Sequence, residues 1–535
     1  MWWILLFLEW LVDWARGTYW YLFGRRSGLC KGTISPPGPL VVDQNKKDRF
    51  FRKEFDEFEV PKNLDIIVIG SGIGGLTAVA VLAKLGKNVL VLEQDKQAGG
   101  LCKTFTEKGF EFDCGFHYIG QLHENGFLKV ALDLITDGQV HFADQGSHVD
   151  TVVIGTGNQC KEYTIYNGKK QVEAPLKKQF PKDTKAVEEF FKIMKICSKK
   201  IHLLCMLKMV PLWFACLILW CGIADLISPI FRYSRTSKTD MVKSLTSNQD
   251  LLTVMPAPVP NLFCVPPKNS SCMMDALYPK GGASEILYHI IQVLEKLGGK
   301  VLVNAPVSSI LVNVKQGAYG ELLVLGKDVE ILAPVTISDA GVFTTFKKLL
   351  LPEVQANLVQ DYLHTLKPGK GFFQVFAGFN KYFDSDKDIA PDNIPMMYVS
   401  FPSAKDPTSC TPFPVNEPEM GEEYEKYKKR FANHLFDWAC VHFPKLKQKV
   451  NFGYECCTTC QVILHYKFQM VWSEYKIPYM TMWCFTSGQD VFSGGCSGTL
   501  HGGLLCASDV MDHCLYIDLL LLQKKLKRMV VKKVE

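Results

Sequence analysis

The sequence predicts an α/β chain: a doubly wound dinucleotide-binding domain, an inserted α+β substrate domain and membrane-associated hydrophobic helices. Three observations carry this. The stretch DIIVIGSGIGGLTAVAVLAKLGKNVLVLEQD, residues 65–95, sets an apolar run against clustered glycines and then repeats an apolar run ending in an acid. The chain has 535 residues, 47% of them apolar and 21% charged, which is a globular balance with a membrane lean and room for two or three domains. Two apolar stretches, 1–23 and 209–231, lie outside the glycine-rich unit.

Charge and cysteine content exclude several classes. The net charge of +6 comes from 60 basic and 54 acidic residues, with no basic block wide enough to track a nucleic-acid backbone, so no nucleic-acid partner is expected. The 19 cysteines are scattered singly through apolar segments, where a thiol behaves as a small buried hydrophobe. ECCTTC sets Cys457 and Cys460 at C-x-x-C spacing, which is redox chemistry or half a zinc site, but no second pair or matching His pair comes after it. Plain thiols are expected there, and no metal.

The elements come in order. Residues 1–30 open with MWWILLFLEWLVDWARGTYWYLF, which lacks a basic start and a small-residue cleavage site. This fits a retained, interface-seeking anchor better than a removed signal. Leu64–Ile69 is a β-branched apolar run, the pattern of a strand buried on both faces. Gly70 lets the chain turn, Gly72 lets the backbone approach a pyrophosphate, and Gly75 lets the next helix, Leu76–Leu85, lie close to the strand. Ser71 and Gly74 belong to the same turn and join the candidate binding set. The helix N-terminus would face phosphate. A second strand, Asn88–Leu92, delivers Glu93, whose carboxylate can take the hydroxyls of an adenosine ribose and disfavours a 2′-phosphate. FAD and NAD both remain candidates on these residues.

Farther on, Met209–Ala224 is a sixteen-residue apolar run, short of the roughly 20 residues a spanning helix needs. It reads as a helix dipping into one leaflet, with a buried core helix as the alternative. Asn269-Ser270-Ser271 is a sequon, usable only if lumenal. The tail QKKLKRMVVKKVE carries Lys532 and Lys533, which resemble a dilysine retrieval signal and imply the endoplasmic reticulum membrane. A basic tail drawn to anionic lipid is the other reading.

The residues after Glu93 carry a resemblance. Gly99-Gly100 and then Asp113-Cys114-Gly115 resemble the extended FAD fingerprint of the two-dinucleotide-fold flavoproteins: amine oxidases, phytoene desaturases and carotenoid isomerases. The resemblance implies FAD, with Gly99 and Gly100 near the phosphates. Lys103 stands after Leu101 and Cys102, where the family usually has Arg directly after the glycine pair. YPKGGASEILYHIIQVLEKLGGKVLVNAPVSSILV at 278–312 resembles the family's return to the cofactor domain, with Val307 at its adenine-facing backbone position. VTISDAG at 335–341 and CFTSGQDVFSGGCSGTLHGGLLCASDV at 484–510 resemble its later motifs, the last placing Asp490 near the ribitol.

GSGIGGL, FDCGFHYIG, SLTSNQ, YPKGGASEI and FPSAKDPT are similar to the retinol-reducing branch of the phytoene desaturase/carotenoid isomerase-like flavoproteins. Membership implies a flavin passing a hydride to a carbon–carbon double bond of retinol or a related apolar polyene drawn from membrane lipid, with NAD(P)H as a possible electron donor. Three stretches depart from the family, near 256, after 408 and at 452–480, and put turnover in doubt. The alternatives are a carotenoid desaturase-like, isomerase-like or amine-oxidase-like flavoenzyme, or a catalytically silent flavin-binding relative. His117, Tyr118 and His501 are the candidates for a catalytic acid, and a loop-fixing role is favoured for each.

The resulting partition is 1–30 anchor, 62–170, 276–345 and 480–515 cofactor domain, 171–275 and 346–479 substrate domain, and 516–535 basic tail. Oligomeric state is not legible in the sequence.

Overall fold

A computed structural model describes most of residues 34–255, then 277–312, 321–325, 329–350, 372–376, 455–459, 484–488, 491–492 and 495–534, with a few single residues elsewhere. In chain order, α1 (Gln44–Phe51) leads into β1 (Ile66–Ile69), α2 (Ile73–Lys84) and β2 (Val89–Leu92). The hairpin β3 (Thr104–Glu107) and β4 (Phe110–Asp113) precedes α3 (Phe127–Ile135), β5 (Phe142–Asp144), β6 (His148–Ile154) and β7 (Lys161–Tyr166). A helical stretch comes next: α4 (Lys169–Gln179), α5 (Thr184–Met209), α6 (Leu212–Trp220), α7 (Ile223–Ile227), α8 (Ile230–Ser234), α9 (Lys238–Leu245) and α10 (Gln249–Val254). The chain continues through β8 (Leu277–Pro279), α11 (Ser284–Lys296), β9 (Lys300–Leu302), β10 (Val307–Val312), β11 (Glu321–Leu325), β12 (Glu330–Ala333) and β13 (Val335–Ser338). Last come β14 (Phe372–Phe376), β15 (Glu455–Thr459), β16 (Cys484–Thr486), α12 (Cys496–Val510) and α13 (Leu515–Val534).

Five strands from three separated parts of the chain form one parallel sheet in the order β16-β13-β1-β2-β9. Ranked by sequence this is 5-4-1-2-3, the doubly wound order, and it reverses at β1. A parallel strand covered on both faces must be apolar throughout. β1 and β2 are accordingly buried at every position. Ile66 and Ile69 pair with Val335 and Ser338 on one side and with Val89 and Leu92 on the other. Outside this sheet, the strand ladders among the described residues are antiparallel, with an isolated parallel bridge between Ile310 and Leu350.

α2 is buried from Ile73 to Ala83, one turn earlier than the expected Leu76 start, and α12 lies across it. That crossing depends on glycine. A Cβ on Gly503 would stand 2.6 Å from the Gly74 carbonyl oxygen and 2.7 Å from Thr77 Cβ. At the edge of this layer Lys47 of α1 pairs with Glu285 of α11, both buried. A second core, from Leu176 to Met255, is built by the helical stretch, with Val152 and Ile154 of β6, Tyr163 and Tyr166 of β7 and Phe492 packed against it.

The apolar run at 209–224 is not one helix. Val210 ends α5 in an extended conformation (ψ 157°), as expected of a residue before proline, here Pro211. Gly222 then takes φ 71° and separates α6 from α7. No helix among the described residues is long and apolar enough to cross a membrane. Apart from Tyr19, the expected anchor at 1–23 lies outside the described residues, as do the sequon and the departures near 256 and after 408. Of the 452–480 stretch only β15 is described.

His501 of α12 is in the core. Its Nδ1 lies 2.8 Å from the Tyr516 hydroxyl and 3.7 Å from Cys205 Sγ, and its ring stacks parallel to Phe127 and Tyr516. Burial, with a smaller push from His202, lowers its pKa to about 4, and burial likewise lowers that of His289 to about 4.

Two outcomes are expected from this packing. Gly503→Ala should lower unfolding stability by about 1–3 kcal/mol through overpacking of the α2–α12 crossing, read as a lower urea midpoint at unchanged slope. Because His501 is neutral when folded and protonates near pH 6.5 when unfolded, its contribution is complete above about pH 6.5 and is lost as pH falls toward 4, at up to about 1.4 kcal/mol per pH unit. His501→Gln should remove that share of the slope, leaving the share of His289, in urea titrations across this range.

Candidate functional site

Four strand ends converge where the sheet order reverses, the usual crevice for a ligand in an open α/β sheet. β1 ends in Gly70, β2 in Glu93, β13 in Asp339, and β16 runs through Ser487 to Gly488. Gly70 takes φ 94° and its N–H donates to the Leu92 carbonyl at 2.8 Å, which fixes the turn out of the strand. Gly72 is then the N-cap of α2 and supplies no side-chain cap. The first-turn N–H groups of a helix have no intrahelical acceptor and carry the positive end of its dipole, so this turn favours an anion.

The approach of the segments forbids side chains. A Cβ on Gly72 would fall 2.4 Å from Asp339 Oδ2, one on Gly74 2.4 Å from Gly488 Cα, and one on Gly100 3.2 Å from Gly72 Cα. Gly488, at φ 86°, is similarly closed in, with its Cβ position 2.4 Å from Asp339 Oδ1. Gly75 serves helix packing, its Cβ position being 2.9 Å from the Gly70 carbonyl oxygen. A glycine-lined loop at a helix N-terminus fits the diphosphate of a dinucleotide, and here the Asp339 carboxylate lies over that loop.

Glu93 is buried and holds the cradle in shape. Its Oε2 accepts hydrogen bonds from Ser71 N–H at 2.9 Å and from the Ser71 hydroxyl, and its Oε1 accepts from Asp95 N–H at 3.0 Å. Ser71 Oγ in turn accepts from Gly99 N–H at 2.8 Å. Gly99 and Gly100 take φ 125° and 54°, conformations open to glycine. A carboxylate has about four acceptor positions. Three are taken here, so the capacity left for ribose hydroxyls lies on Oε1.

The remaining predicted residues divide. Lys103 turns to Asp95 at 2.5 Å; burial opposes its charge, but the Asp95 bond and field hold its pKa above the ordinary lysine value. Val307 opens β10, which pairs with β11 and not with the parallel sheet. His501 is in the aromatic stack beneath α12, an arrangement that fixes the ring. His117, Tyr118 and Asp490 lie outside the described residues, as does Cys460 of the C-x-x-C pair. Among the described residues no group of three or more His, Cys, Asp or Glu could hold a metal ion.

Three features escape reasoning from sequence. Asp339 sits over the glycine loop, although VTISDAG marks only its strand and turn. Asp113 accepts from Ala283 N–H at 3.0 Å and from the Tyr278 hydroxyl, so FDCG and YPKGG are two halves of one joint at the start of α11. Lys208, in the sequence only the edge of an apolar run, donates to the Val491 carbonyl and stands 5.4 Å from the centre of the Phe492 ring, inside the closing motif. Burial lowers its pKa to about 7.

Comparison with known proteins places the chain. A family profile described as an NAD(P)-binding Rossmann-like domain matches residues 68–132. A protein of Danio rerio named inactive all-trans-retinol 13,14-reductase is 65% identical, with 100% of each chain covered. The Homo sapiens all-trans-retinol 13,14-reductase is 32% identical over 92% of this chain and 93% of its own. Among solved structures, cyclohexylamine oxidase from Brevibacterium oxydans covers 87% of this chain and 100% of its own, with a TM-score of 0.50 at 14% identity, which is a likeness of fold. Identity of this extent along the whole chain makes the protein a member of the all-trans-retinol 13,14-reductase family.

Proposed function

We propose that the chain holds FAD against the glycine loop and acts as a flavin-dependent reductase that saturates one double bond of a polyene alcohol, converting all-trans-retinol to all-trans-13,14-dihydroretinol. The observation that carries this is the glycine-lined loop at the sheet reversal, where α2 begins at Gly72. Family membership supplies the substrate class, through the names its relatives bear.

Bound FAD would supply the hydride chemistry. The chain's own residues have narrower tasks. Gly72 and the first turn of α2 would take the diphosphate, the Gly99–Gly100 turn would close over it, and Glu93 Oε1 would take a ribose hydroxyl. Saturating a double bond also consumes a proton. Lys208 is the candidate to hold it: an ammonium with a pKa of about 7, anchored on the Val491 carbonyl, can give up and regain a proton near neutrality.

A second reading is a flavin-binding protein without turnover, favoured by the word inactive in the name of the 65%-identical relative. That alignment spans 608 positions against 535 residues here, so at least 73 positions meet no residue of this chain.

Purified protein given FAD should show a visible flavin band, and Gly72→Val should abolish it with unchanged far-ultraviolet circular dichroism; a colourless wild type would overturn both readings. Anaerobic mixing of the chemically reduced protein with all-trans-retinol should reoxidise the flavin and yield dihydroretinol by chromatography, whereas a flavin that stays reduced establishes the silent reading. If turnover occurs, the rate should fall as pH rises through about 7, where Lys208 loses its proton. Lys208→Met should flatten that limb and slow the reaction by roughly 10²–10⁴-fold.

A further inference from the structure

The tip of the helical stretch shows apolar side chains to solvent. Leu217, Trp220, Ile223, Leu226 and Ile227 are 45%, 86%, 43%, 87% and 61% exposed. They fall on α6 and α7, on either side of the Gly222 turn. Half of the ten large apolar residues exposed among the described residues are gathered here, while the other five are dispersed between residues 19 and 332. Scattered exposed leucines are ordinary, but a contiguous group that includes a tryptophan marks a contact surface. α6, LWFACLILW, has no charged residue on any face. Ala215, Ile218 and Leu219 pack it onto the second core, so a buried core helix is excluded for its other side.

The charge around this tip names the partner. From the start of α5 to the end of α9, residues 184–245, ten Lys or Arg stand against four acids, Glu188 and Glu189 on α5, the latter paired with Lys192, and Asp225 and Asp240 after it, an excess of +6 that equals the total of the whole chain. Lys192, Lys195, Lys199 and Lys200 on α5, Arg232 on α8 and Lys243 on α9 are exposed. Arg235 is taken by Asp225, which removes one of the two negative charges after α5 from the rim. α8 packs against α5, so these cations share one body with the tip. An apolar tip with a basic surround is the complement of an anionic bilayer surface, where each nearby Lys or Arg adds attraction. α6, at nine residues, is about 13 Å long, under half of a hydrocarbon core, so the contact involves one leaflet.

We infer that α6 and α7 dock this protein into one leaflet of a bilayer containing anionic lipid, with Trp220, Leu226 and Ile227 entering the boundary between headgroups and acyl chains. The inference stands on this surface alone and is independent of the flavin and of the polyene.

The test is hydrogen exchange of the full chain, read peptide by peptide, with phosphatidylcholine vesicles that contain or lack phosphatidylserine. Local readout separates this tip from any attachment through residues 1–23. Peptides covering 212–235 should exchange about tenfold more slowly on vesicles with phosphatidylserine, and the protection should shrink with pure phosphatidylcholine or high salt. The triple variant Trp220→Ser, Leu226→Ser, Ile227→Ser removes exposed groups only, should melt like the wild type, and should lose the protection. Equal exchange with and without vesicles overturns the inference, as does a triple variant protected like the wild type. Protection that needs no lipid and grows with protein concentration also overturns it and assigns the tip to a second copy of the chain.

Discussion

The hydrogen bonds of the Glu93 carboxylate are the constraint on which the rest of the site depends. This buried charge at the end of β2 is tolerated because donors surround it: the Ser71 N–H and hydroxyl on one oxygen and the Asp95 N–H on the other. Through Ser71 Oγ the same knot reaches Gly99, and through the backbone Glu93 donates to Leu302 and accepts from Ala305. Four chain segments spread over more than 200 residues are thereby held at one point. Breaking a buried charge–donor network strands the partners it leaves, so the glycine turn has no cheap alternative conformation.

Given that fixed turn, the pattern of glycines is a matter of distance. Gly74 meets the Gly488 backbone at a separation where no Cβ fits, Gly100 comes close to Gly72 Cα, and at Gly72 and Gly488 a Cβ would displace the Asp339 carboxylate. Asp339 occupies the mouth of this cradle, at the positive end of α2, a favourable place for its charge. A diphosphate entering the same field meets a carboxylate at close range, which must turn aside to admit it.

Sequence shows best what is set locally. β1, the glycine turn, α2, β2 and Glu93 lie within thirty residues, and each position is constrained by its immediate neighbours, so spacing alone exposes the unit. The broken helix at 209–227 is not legible from a count of apolar residues, because the backbone effects of Pro211 and Gly222 override apolarity. Asp113 with Ala283, Lys208 with Val491 and His501 with Cys205 are pairs 170, 283 and 296 residues apart. No periodicity encodes such pairings; they exist only after the sheet has assembled. Lys103, a cation placed by analogy near phosphate, pairs with Asp95, a partner that the glycine spacing does not reveal.

The long helix α5 joins the two surfaces that matter. Its 26 residues rise about 39 Å, and its last turn lies against the closing motif: Lys208 on the Val491 carbonyl, Cys205 beside His501, Met209 beside Cys514. Three residues after Met209 the chain enters α6 and the apolar tip. A docked tip would bring the closing-motif end of α5 near the lipid. An apolar substrate leaving the bilayer would meet this face first, next to a lysine whose proton is loosely held at neutral pH. The desolvation that makes Lys208 a weak base leaves its proton available near neutral pH, which suits a reaction that needs one proton delivered.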